Sequence, residues 1–254
     1  MMNLVKKTMR LMGVGVAALV LPGAGAGDAA PLEMELGVDV VSKYVWRGML
    51  LTDDPVIQPG VTASAYGFSA NVWSSIDVSD INEMDGDDDY KIQEVDYTLS
   101  YALSPVEGLD LEAGYVYYSF PGTPFSSTAE VFGSLCASAI PLSPALTIYY
   151  DVDEIDGFYG SFSLGHAFEI SESLSVGLGA AVGYGESDYN NGYFGVDDDA
   201  LNDLALSVSL DYAVNEMCSV SGYVGFSTLL DSEIDEAVAE SDIVTVGANL
   251  TFSF

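Results

Sequence analysis

The residues with the most unusual chemistry lie in "VSKYVWRG", residues 41–48. The sequence holds 39 Asp and Glu against six Lys and Arg, and two of those six, Lys43 and Arg47, stand four apart in this stretch. Cations set among carboxylates can form ion pairs and fix the local sign of the potential, because an interior carboxylate left alone at low dielectric is costly. Asp39 on the same stretch, Glu94, Asp96 and Glu130 are the candidate partners. Groups for covalent or acid–base chemistry are scarce. The one histidine, His166, lies between Leu164 and Phe168 at two-residue spacing, and no serine shares its face. The pairing that a serine or aspartate–histidine hydrolase requires is therefore missing, and the reading is a protein that is not an enzyme.

Two acidic runs invite comparison with calcium loops: Asp80, Asn82, Asp85 and Gly86 in "DINEMDG", and Asp151, Asp153, Asp156 and Gly157 in "DVDEIDG". Both carry one residue more than D-x-D-x-D-G, which displaces the third ligand. No dedicated metal or cofactor is expected, only diffuse Ca²⁺ or Mg²⁺ condensed on acidic loops.

Residues 1–26 combine Lys6, Lys7 and Arg10 with an apolar run from Leu11 to Leu21 and end in Ala24-Gly25-Ala26. This is the layout of a cleaved signal peptide, and the run is short of the ~20 residues of a spanning helix. Its loss leaves three cations against 39 carboxylates, a formal charge of −36, over a single unit at 27–254. So acidic a surface excludes nucleic-acid binding. Yet 49% of residues are hydrophobic, 11% are aromatic and the mean hydropathy is +0.28, so the chain is not a disordered acidic tail. Cys136 and Cys218 fall on well-separated strands with opposite facing and are expected to be free thiols.

After residue 26 the dominant period is two. In the last segment Val244, Val246, Ala248, Leu250, Phe252 and Phe254 share one face, opposite Thr245, Gly247, Asn249, Thr251 and Ser253. The same alternation of apolar with small or polar residues recurs in about twelve segments of roughly ten residues, the length of a strand crossing a bilayer. Short connections such as "AYGF" and "VNEM" alternate with longer, mostly acidic ones such as "GESDYNNGYFGVDDDALND". That asymmetry separates an all-β, transmembrane antiparallel barrel from a soluble sandwich, which also alternates. On the first strand the parity of Asp39 carries Lys43 and Arg47 into the lumen, making Lys43, Arg47, Glu94, Asp96, Glu130 and Asp39 the expected lining of a constriction. The opposite parity sends Tyr44 and Trp46 to the lipid interface as girdle residues. Twelve strands lie between barrels filled by side chains and those holding an aqueous channel, so both an open and a filled lumen remain.

The segment "GVDVVSKYVWRGMLLTDDPVIQPGVTAS", through Ser42, Tyr44, Arg47, Gly48, Pro55 and Gln58, resembles the opening of the TorF-type porin family of Gram-negative outer membranes. The resemblance implies a barrel in the cell outer membrane, in contact with its lipid and lipopolysaccharide. The terminal "LTFSF", with Phe252 and Phe254, resembles the signal read by the barrel assembly machinery. The function expected is passive diffusion of small solutes with a preference for cations. The alternative is a closed structural or adhesion-type barrel without transport.

Overall fold

A computed structural model describes residues 32–79 and 91–254. The expected signal peptide at 1–26 and the acidic run of Asp80, Asn82, Asp85 and Gly86 lie outside the described residues. In chain order the elements are β1 (Glu33–Val41), β2 (Tyr44–Trp46), β3 (Met49–Thr52), β4 (Val56–Ala65), β5 (Phe68–Asp77), β6 (Lys91–Val106), β7 (Leu109–Ser119), β8 (Thr128–Cys136) and β9 (Ala145–Asp151). They continue as β10 (Phe158–Glu169), β11 (Leu174–Gly185), α1 (Ser187–Phe194), β12 (Ala200–Ala213), β13 (Cys218–Leu229), α2 (Ser232–Ala237) and β14 (Ile243–Ser253).

Twelve of the strands close into an antiparallel barrel in the order β1, β14, β13, β12, β11, β10, β9, β8, β7, β6, β5, β4. The ring shuts where β1 pairs with β14, Leu36 opposite Phe252 and Val40 opposite Ala248. Closure removes every strand edge, the requirement for β structure where no water can satisfy the backbone. The expected twelve-stranded barrel is therefore the fold.

Alternation decides which face meets lipid. Leu36, Val38, Leu99, Phe162, Leu178, Leu206, Val208 and Val246 all point outward and stay exposed. So continuous an apolar exterior belongs in a bilayer. Aromatics ring both ends of this band. Tyr117, Tyr150, Phe158 and Tyr184 lie near the long-loop end, and Phe68, Tyr101, Phe168, Tyr212, Phe252 and Phe254 near the short-turn end. His166 faces outward beside Phe168, their rings 4.6 Å apart. Both cysteines are free, Cys136 buried and Cys218 partly exposed.

The inner faces divide by height. Toward the short turns they carry small or polar residues in register: Thr62 opposite Asn71, Asn71 opposite Thr98, Ser163 opposite Ala181, Gly179 opposite Ser207. Toward the long loops the interior is occupied by a buried cluster of Tyr149, Tyr159, Tyr189, Phe194, Ala200, Leu229 and Ile234. Both helices belong to this end and stand in connections expected to be irregular. α1 is held by Asn190, whose amide donates to the carbonyls of Gly185 at 3.0 Å and Asp198 at 2.8 Å and accepts from Asn202 at 2.6 Å. Asp231 caps α2, its carboxylate accepting from the Glu233 and Ile234 N–H groups, and Ile234 is fully buried.

Candidate functional site

Two of the strands do not belong to the wall. After β1 the chain leaves the barrel at Ser42, and β2 and β3 pair with each other as a separate two-stranded sheet. The two residues between them, Arg47 (φ 47°) and Gly48 (φ 82°), are both left-handed. That is the geometry of a type I′ hairpin turn, which favours Asn-Gly or Gly-Gly. Arginine there costs about 1–2 kcal/mol of backbone strain, so its side chain must be strongly held. Glycine is required next to it, because a Cβ on Gly48 would come within 2.6 Å of Leu229 and 2.8 Å of Asp203.

This hairpin folds into the lumen, and Arg47 is only 3% exposed. Its guanidinium makes a two-pronged pair with Glu130 on β8, Nη1 to Oε1 and Nη2 to Oε2 each 2.7 Å. The Tyr118 hydroxyl donates to the same Oε2 at 2.7 Å. Aromatic rings surround the cation, Trp46 and Tyr149 at 4.3 Å, Tyr159 at 4.4 Å and Tyr189 at 5.7 Å from its central carbon. Tyr159 is fixed in turn by donating to Asp203 at 2.9 Å. A register shift between β11 and β12 lets neighbouring Asn202 and Asp203 both be buried at this level.

The hairpin springs from β1 and β4, and Tyr149 lies on β9, six places from β1 in either direction around the ring. The tip therefore reaches the diametrically opposite wall. It forms a crossbar through the lumen. Its base is held by Thr52, which donates to Gln93 of β6 at 2.8 Å, and by the Tyr44 ring against inward-facing Trp73 at 5.6 Å.

Of the expected constriction, Arg47 and Glu130 come together directly. Glu94 and Asp96 lie inside the barrel on β6, where Glu94 hydrogen-bonds Tyr44 and Asp96; Asp96 Oδ1 is buried and unpartnered. Asp39 faces inward and accepts from Asn249 at 2.9 Å. Lys43 corrects the expectation: it lies at the long-loop rim, paired with Asp53 and, at 3.3 Å, with Glu240. Tyr44 and Trp46 are corrected too. They are not lipid-facing girdle residues; they pack inside, Trp46 against Tyr118 and Tyr193. The reason is common to all three. Parity groups these residues only along one strand running from Asp39 through Arg47, whereas the strand ends at Val41 and the chain turns inward.

In "DVDEIDG", Asp151 is fully buried and already saturated. Its Oδ1 accepts the N–H groups of Asp153, Glu154 and Ile155 at 2.9 to 3.1 Å, and its Oδ2 accepts the Thr128 hydroxyl at 2.6 Å. Asp156 sits at φ 55° in the same turn. This carboxylate shapes the loop.

Sequence reasoning missed Tyr118, Tyr149 and Tyr159. The signal was present: each has the parity of its strand's polar residues, at the end nearest a long loop, where the neighbouring Tyr117 and Tyr150 take the lipid parity.

Among the described residues Arg47 is the only buried cation; Lys91 shares the inner face with buried Asp77 at the long-loop end, and the other inward charges named here, Glu35, Asp39, Glu94, Asp96, Glu112 and Asp211, are carboxylates. A closed barrel with an apolar exterior, paired aromatic girdles and a crossed, acidic lumen defines an outer-membrane β-barrel. The chain belongs to the family described as a bacterial protein of unknown function (Gcw_chp), whose model matches residues 25–237. No curated protein matches its sequence. Among solved structures it is similar to an outer-membrane channel of Pseudomonas putida F1, at 10% identity and a TM-score of 0.53, over 92% of this chain and 100% of that one. It is also similar to the NanC porin (12%, TM-score 0.49, 88% and 99%) and to outer membrane phospholipase A from Escherichia coli (14%, TM-score 0.44, 87% and 89%). At 10% identity the likeness to the Pseudomonas putida channel is one of fold.

Proposed function

We propose that this barrel passes small solutes passively across the outer membrane, favours cations, and is regulated in aperture by the β2–β3 crossbar. The carrying observation is the crossbar itself: a wall built to be sealed needs no separate hairpin stretched across its diameter and neutralised at the tip by one matched carboxylate. With Arg47 cancelled by Glu130, the carboxylates left on the inner wall give the passage a negative potential, which enriches cations and excludes anions. No chemical step is involved. The resemblance of residues 37–64 to TorF-type porins supports the same reading.

The tightly packed long-loop half favours a second reading, a closed barrel with a structural or adhesive role. Planar-bilayer recording separates the two. A channel gives unitary conductance with a reversal potential shifted toward the cation equilibrium in a salt gradient. Silence in the parent and in a variant with residues 44–52 replaced by a short Gly-Ser link would establish the closed reading.

Two partners complete the proposal. Outward-facing Phe252 and Phe254 at the end of the closing strand serve the assembly machinery, and Phe254→Ala should lower outer-membrane levels more than it lowers the melting temperature of barrel already assembled. Divalent cations condense on the acidic loops beside lipopolysaccharide phosphates without a dedicated site.

A further inference from the structure

We propose that the cage around Arg47 is a recognition site for guanidinium-bearing small solutes, which the protein's own arginine occupies at rest. The inference rests on the channel reading above and names the solute class it would serve.

Three observations carry it. The first is the shape of the cage. The carboxylate of Glu130 presents two oxygens to two guanidinium nitrogens, both at 2.7 Å, while the wall-borne rings of Tyr149 and Tyr159 stand at 4.3 and 4.4 Å. A fork and aromatic faces select a planar, weakly hydrated cation; a potassium ion or an ammonium satisfies neither as well.

The second is how the occupant is delivered. Among the described residues β2 and β3 take backbone partners only from each other, over three residue pairs. The arginine sits at φ 47°, strain that release of the tip would relieve. A cation bound in this way, on a short element tied to the wall by side chains and not by backbone pairing, can be displaced by a free one of the same chemistry. The third is the surroundings: the titratable groups nearest the cage are Asp203 on one side and the hydrogen-bonded Glu94 and Asp96 on another, so no second buried cation among the described residues competes for Glu130. Exchange is then competition between two guanidinium groups for Glu130. When the free one wins, the hairpin tip is released from the opposite wall.

The test uses the purified full barrel in detergent, with methylguanidinium as probe and potassium chloride holding ionic strength constant. Arg47→Ala empties the cage. Calorimetric titration should show one saturable site in Arg47→Ala, at least tenfold tighter than any binding by the parent, and lost again in the double variant Arg47→Ala/Glu130→Gln. Tetramethylammonium, which offers no N–H fork, should bind Arg47→Ala more weakly. Absence of saturable binding in Arg47→Ala, or binding unchanged by Glu130→Gln, overturns the proposal. Should Arg47→Ala fail to refold, its refolding yield is measured with and without the probe, and Arg47→Gln is titrated in its place; a yield unmoved by methylguanidinium together with no binding by Arg47→Gln is equally decisive against it. Titration needs no conduction, so binding without conductance would overturn the channel reading while leaving the cage as a guanidinium site.

Discussion

The two halves of this barrel solve the same problem in opposite ways. At the long-loop end the interior holds large rings and buried charges whose hydrogen bonds are nearly all made; Tyr159, Tyr189, Glu130 and Asp151 are each 1% exposed or less. At the short-turn end the wall carries glycine, serine, threonine and alanine, with Glu35, Glu112 and Asp211 among them. Substitution in the first half disturbs a packed, low-dielectric network. In the second half it changes the charge or bore of a wall that depends on no such network. Stability and selectivity should therefore respond to different residues, and variants can break or sharpen that division.

The largest effect is expected at Glu130. Its loss leaves Arg47 buried without a counter-charge, and removing one member of a buried pair costs about 3–5 kcal/mol. Glu130→Ala should unfold at markedly lower urea or temperature, read by heat-modifiable gel migration. A variant as stable as the parent would mean the long-loop half is not a cooperative core. Tyr159→Phe comes next: it strips the hydroxyl from Asp203 and should cost about 1–3 kcal/mol for the buried acceptor left short of a partner. Gly48→Ala is expected to cost about 1–2 kcal/mol through its left-handed φ. Its more telling result would be higher unitary conductance, as the hairpin tip is pushed off Leu229 and Asp203. Smallest in stability is Glu112→Gln on the small-residue wall, within about 0.5 kcal/mol of the parent. It should nevertheless lower the cation-to-anion permeability ratio. A stability loss there as large as at Glu130 would erase the distinction between the halves.

The barrel was legible because a lipid-facing wall imposes one rule on every strand. Apolar residues at every second position, with connections alternately short and long, leave little choice of architecture, and the pairing of Val38 with Leu250 and of Leu178 with Val208 follows from it. Arg47 and Glu130 were legible as interior charges because their cost demands partners. The crossbar was not. The parity of residues 39–47 is as good for a straight strand as for a strand that ends, and only the left-handed turn at Arg47-Gly48 distinguishes them. Arginine carries no strong signal for that conformation. The helices α1 and α2 were invisible for a related reason. They are eight and six residues long, too short for a helical period to emerge, and they are held by the contacts of Asn190, Asn202 and Ile234 with the rest of the long-loop end.

The span of the hairpin from β1 and β4 to the wall of β8, β9 and β10 has a mechanical consequence. A ring of hydrogen-bonded strands resists stretching along its circumference but is comparatively soft toward flattening, since an oval and a circle can keep the same pairings. Arg47 is a spoke in that ring, anchored at Glu130 on the far side. It limits how far the two walls can part under uneven lateral pressure from the bilayer, and its release would convert a stiff cross-section into a compliant one without breaking a single strand-to-strand bond.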